Sequence, residues 1–166
     1  MELTLGSSRP TPETVASLPQ LLSGGLAWAG GLALAVGLAG LYLRQAPAAG
    51  RLGLVGFLLA LLGTAAMAGS DWTGLFVIPQ LASALPGWLS TPPDGVGLAI
   101  LANFVIYALG WLLFGIATLR AGVFPRAAGA AVTLGIVASI AAPLSLGLLV
   151  FELGLVWLGL YATTSR

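Results

Sequence analysis

Between Leu21 and Leu43 the chain runs for 23 residues without a charge. Wound as a helix, that stretch extends about 34 Å, enough to cross a hydrocarbon core of ~30 Å. It has no charged face to turn toward water, so it cannot coat a soluble bundle. Leu52–Ser70 and Val96–Leu119 are further runs of the same kind, and mean hydropathy reaches +1.05 with only 7% charged residues. A soluble surface needs far more charge than that. The expected fold class is an all-α integral membrane protein, and a soluble enzyme is excluded.

Composition removes whole chemistries. The chain has no Cys and no His, so it can build no disulfide, thiolate nucleophile, iron–sulfur cluster or imidazole site. All six basic residues are Arg, which excludes a lysine Schiff base and a Walker-type phosphate loop. A net charge of +1 gives no nucleic-acid footprint. No cofactor is implied, and the bilayer is the first expected partner.

Residues 1–20 form the only extended polar segment, and 21–166 read as one transmembrane domain. Thr11-Pro12-Glu13 predicts a helix start, with Thr at the cap, Pro at the first position and a carboxylate in the first turn. Ala46-Pro47-Ala48 looks like a signal-peptidase site, but the 23-residue run before it exceeds a signal core of about 7–15 residues. The run therefore reads as a retained span.

The expected spans are 21–43, 52–70, 96–119, 127–142 and 143–162. Short turns at 44–51 and 120–126 each carry an Arg at both ends. Residues 71–95, with four prolines, read as the longer outer interfacial loop, and from Thr73 they fit an interfacial helix and loop better than a crossing. The last two spans depend on a break near Ala142-Pro143; the rival is four spans with an interfacial tail. Five spans gather Arg44, Arg51, Arg120, Arg126 and Arg166 on one side and leave Arg9 alone opposite. The positive-inside rule favours that arrangement, with the N-terminus outside and the C-terminus cytoplasmic. The two Arg-flanked turns also resemble each other, which either a parallel duplication or the shared demands of two cytoplasmic turns would explain.

The segment LFGIATLRAGVFPRAAG, residues 113–129, resembles the turn of uncharacterised bacterial multi-pass membrane proteins of the domain-of-unknown-function type. Those carry a helix ending in Arg, a small residue, Gly, an apolar step and Pro-Arg, then a second Gly/Ala-rich helix. The resemblance implies an integral protein of a bacterial cell membrane. It implies no activity and no catalytic residue, and many such proteins are longer.

Glu152 is the first candidate for chemistry, because it falls near the middle of the fifth span. An ionised carboxylate there costs at least ~2.5 kcal/mol, so it must be protonated, paired or turned to water. Tyr107, Asn103, Thr133 and Thr64 are the expected polar partners at similar depth. The alternative is a neutral structural hydrogen-bond donor. Small residues recur every fourth position at Ala29, Ala33 and Gly37, at Gly56, Ala60, Thr64 and Ala68, and at Ala127, Ala131, Gly135 and Ser139. Such seams let helices approach closely, within the monomer or between subunits. Trp72, Trp88, Asp71 and Asp94 mark the outer segment, either as interfacial anchors or over an entrance. Trp28, Trp111 and Trp157 read as packing or anchoring groups.

The sequence supports a non-catalytic accessory or scaffold subunit, in contact with other membrane subunits or with itself. A small proton-coupled transporter centred on Glu152 is the alternative. An intramembrane enzyme lacks a nucleophile–base pair.

Overall fold

A single glycine divides the longest helix. The computed structural model describes residues 11–85, 87, 94–141 and 144–164. Its elements are α1 (Pro12–Val15), α2 (Leu18–Phe76), α3 (Ile78–Ala84), α4 (Asp94–Ala121), α5 (Arg126–Ala141) and α6 (Leu144–Thr164). Among the described residues there is no strand. Gly50, at φ 56° and ψ −156°, is non-helical within α2. There the helix folds back into two limbs, 18–49 and 51–76. Gly24 faces Leu75, Gly31 faces Ala68, and the rings of Tyr42 and Phe57 stack at 4.3 Å, so the limbs run antiparallel.

Three helices are long and apolar enough to cross a membrane: Leu18–Phe76, Gly95–Ala121 and Leu146–Thr164. In lipid every backbone group must be satisfied within its own segment, which an unbroken helix achieves. α5 has 16 residues and is shorter, about 24 Å. The outside of the bundle is apolar. Leu26 and Val36 are each 75% exposed, Leu153 68% and Leu134 63%. Such a surface is compatible with a bilayer.

Several boundaries differ from the sequence reading. The first turn is narrower than 44–51, because helix persists through Arg44, Gln45 and Pro47 and one positive-φ residue makes the reversal. The second turn uses Gly122, at φ 64°, followed by Pro125 ahead of α5. The two turns therefore share composition but not register: the positive-φ glycine lies six residues after Arg44 and two after Arg120. Within the outer segment 71–95 the second limb continues through Asp71 to Phe76 instead of ending at Ser70, the short helix α3 follows, and α4 begins at Asp94. Pro79 sits in the first turn of α3, where its missing N–H costs nothing. The expected break at Ala142-Pro143, Trp88 and the remaining loop prolines, Arg9 and Arg166 lie outside the described residues. The predicted start at Thr11 is present, and Thr11 and Thr14 cap each other reciprocally.

The long helices pack in chain order. The second limb lies antiparallel on α4, α4 on α5, and α5 on α6. Glycines set the closeness. A methyl added at Gly56 would fall 2.6 Å from the backbone nitrogen of Phe114, and one at Gly154 would fall 2.8 Å from that of Val132. Trp111 occupies the centre, fully buried, edge-on to Phe114 at 5.8 Å and to Phe151 at 5.1 Å. Leu38 and Leu41 of the first limb and Val132 and Ile136 of α5 complete the core.

The three small-residue seams fare differently. Gly56 and Ala60 pack on α4, with Ala60 against Gly110, whereas Thr64 meets Trp111 and Ala68 meets Gly31. Ala131, Gly135 and Ser139 meet Gly154, Phe151 and Gly147 of α6, while Ala127 is exposed. Ala29, Ala33 and Gly37 are exposed rather than packed in a close seam, Ala33 and Gly37 lining an open cavity beside α6, and the glycines of the first limb that meet the second limb are Gly24 and Gly31.

Candidate functional site

The first limb closes poorly against α6. Between them, bounded behind by the second limb and α4, lies a cleft of 780 Å³. The first limb contributes Leu26, Gly30, Gly31 and Leu34, which present little bulk. α6 contributes Leu148, Phe151, Glu152, Leu155 and Val156. Thr64, Met67 and Asp71 come from the second limb, and Tyr107 from α4.

Three of the expected polar residues thus share one cavity: Thr64, Tyr107 and Glu152. They stand near one level. Phe151, adjacent to Glu152, meets Tyr107 at 6.2 Å and Trp111 at 5.1 Å, and the Trp111 indole donates to the Thr64 hydroxyl at 3.2 Å. That bond ties the second limb to α4 at the back of the cleft. Glu152 is exposed on the open side.

The other two expected partners lie elsewhere. Asn103 donates to Ser70 at 3.3 Å and lines a separate pocket of 510 Å³ between the second limb and α4. Thr133 donates to the Gly129 carbonyl within its own helix and abuts Gly115 of α4. Its hydroxyl serves packing.

Asp71 lines the cleft although the sequence placed it in an outer loop. It stands two helical turns beyond Thr64, about 10 Å farther from the Gly50 turn. Among the described residues that line the cleft none is basic, so it holds two carboxyl groups without a countercharge. Among the described residues no group of His, Cys, Asp and Glu is arranged to hold a metal ion.

Toward the Gly50 turn the cleft continues into a second cavity of 390 Å³, sharing Leu34, Leu155 and Val156 with the first. Its other walls include Gly37, Leu38, Leu41 and Gly159. At that end the Arg44 guanidinium donates to the Ala162 carbonyl and lies 6.0 Å over the Phe124 ring, joining the first limb to α6. Arg51, Arg120 and Arg126 are exposed beside the two turns and do not line the cleft.

Gln45 was not signalled by the sequence, which read it as part of a turn. It is 0% exposed, and neither atom of its amide has a hydrogen-bond partner among the described residues.

Comparison with protein-family models, with curated proteins and with solved structures finds no match.

Proposed function

We propose that this chain is a multi-pass membrane protein that works by binding rather than by making or breaking bonds. The cleft between the first limb and α6 is its site, as suits a non-catalytic accessory subunit. One observation carries this: the second limb, α4, α5 and α6 pack closely in turn, but the first limb and α6 leave a 780 Å³ opening lined by two carboxyl groups. Such a volume falls in the usual range of ligand sites, about 300–1,000 Å³, and its mostly apolar walls with a few polar groups are typical of them. Among the described residues that line the cleft there is no Ser, Cys, Lys or His.

In the membrane the proposed arrangement is five crossings, with the two limbs of α2 counted separately and α5 as the short one. The N-terminus lies outside and the arginine-flanked turns face the cytoplasm of a bacterial cell. The likeness of residues 113–129 to bacterial multi-pass proteins agrees with it. Single cysteines at Ala48 and Ala127 should then label from the cytoplasmic side and one at Gly74 from outside.

The test of binding is what co-purifies. A bilayer component should accompany the wild type in stoichiometric amount and be lost from Gly30→Leu, which fills the cleft where an added methyl meets nothing within 4 Å. Equal recovery from both proteins overturns the proposal. The exposed Glu152 at the cleft also favours a second reading, a proton-coupled carrier. That requires pH-driven flux in reconstituted vesicles and its loss in a folded Glu152→Gln variant; absence of flux in the wild type dismisses it.

A further inference from the structure

We infer that the cleft takes a cationic amphiphile, with its head between Asp71 and Glu152 and its apolar tail along the first limb toward Arg44. This rests on the binding proposal and names the class of ligand. The two joined cavities differ in character. The upper one holds Asp71, Glu152, Thr64 and Tyr107. The lower one carries Thr163 as its one polar lining residue, and that hydroxyl already donates to the Leu160 carbonyl. A molecule filling both must be polar at one end and apolar at the other.

Charge selects the sign of the head. No described lining residue of either cavity is basic, so an anionic head would meet two carboxyl groups without any countercharge. A cationic head supplies that charge, and with N–H groups it donates to the carboxyl and hydroxyl oxygens. The rings of Tyr107 and Phe151, 6.2 Å apart, offer π faces and edges beside it.

Shape selects the tail. From Leu26 to Leu41 the first limb runs along the two cavities for about 22 Å. Gly30, Gly31, Gly37, Gly40 and Gly159 keep that track open, and an added methyl at Gly37, Gly40 or Gly159 would meet nothing within 4 Å. The channel ends where Arg44 bonds to the Ala162 carbonyl. Leu34, Leu155 and Val156 line both cavities, so head and tail regions are continuous.

The experiment uses the full chain in phosphatidylcholine nanodiscs with two photoreactive probes of equal chain length. One is a hexadecyl primary ammonium carrying a diazirine in its tail; the other is the uncharged hexadecanol analogue. The expected result is preferential labelling by the ammonium probe within 34–41 and 155–163. Labelling should fall about tenfold in the Asp71→Asn/Glu152→Gln double variant, the loss expected for removing a charge-assisted contact. Gly159→Leu, which blocks the tail while keeping both carboxyl groups, should abolish the same labels, with unchanged unfolding temperature in each variant. Equal labelling of the cleft by both probes, unaffected by the carboxyl substitutions, overturns the cationic head but leaves the binding proposal standing. No labelling of the cleft by either probe overturns both.

Discussion

Gly56 offers a test of how much closeness the bundle needs. A methyl added there would fall 2.6 Å from the Phe114 nitrogen and 2.8 Å from the Leu113 carbonyl carbon, where ordinary contact begins near 3.4 Å. Both targets are backbone, so no side chain can swing away. In Gly56→Ala the second limb and α4 must part by roughly 0.8 Å, and such a gap forfeits a quarter to a half of the attraction of each atom pair across it. Gly63 and Gly110 sit in the same seam, against Tyr107 and Ala60, and lose contact together. Overpacking of this kind costs about 1–3 kcal/mol, and the better helix propensity of alanine returns at most about 1 kcal/mol. The expected net loss is about 1–2 kcal/mol. Gly37→Ala is the matched control, because its methyl meets nothing within 4 Å and should be neutral or gain up to about 1 kcal/mol. Reversible unfolding in mixed micelles, followed by circular dichroism, compares the two directly. If Gly56→Ala is as stable as the wild type, or shifts in the same direction as Gly37→Ala, the close seam is not what holds α4 to the second limb.

Three further outcomes are expected from the same assay. Gln45→Met should stabilise the protein by about 1–3 kcal/mol, the cost of burying an amide with neither atom paired; a loss would mean that the amide has a partner. A double-mutant cycle of Thr64→Val and Trp111→Phe should return a coupling of about 0.6–1.7 kcal/mol, the worth of an interhelical hydrogen bond in a membrane, and a value near zero would deny the bond. Gly135→Leu should destabilise far more than Leu134→Ala, since Gly135 abuts the Phe151 backbone while Leu134 is 63% exposed; equal effects would reduce the α5 seam to chance composition.

Charge and length made the helical membrane class readable, and local chemistry made the Thr11 cap readable. The inward faces were not. A helix that is apolar all round carries no polar stripe to mark its outside, so hydrophobicity cannot tell Ala29, Ala33 and Gly37 from Gly24 and Gly31. All are small, and only the position of the second limb puts Gly31 against Ala68. Asp71 was misplaced because a span counted from Leu52 reaches bilayer thickness at Ser70, yet no residue there ends a helix and it continues to Phe76. Gln45 was read as turn because Arg44, Pro47 and Gly50 surround it. Of these only Gly50 breaks the helix, so the amide is carried back into the bundle. Of the polar residues expected to converge, Thr133 was lost to its own helix and Asn103 to Ser70, partners that spacing alone cannot distinguish from a neighbour across the cleft.

The long helices pack in the order in which they occur in the chain, the second limb on the first, α4 on the second limb, α5 on α4 and α6 on α5. The second limb emerges from synthesis with the first already beside it, α4 finds the glycine seam of the second limb waiting, and α5 and α6 add in turn. The join between α6 and the first limb links described elements especially far apart in the chain, through Arg44 and the Ala162 carbonyl 118 residues away. The cleft therefore lies at a boundary whose two walls are made far apart in time, so the first limb stands without its α6 wall until α6 has been synthesised.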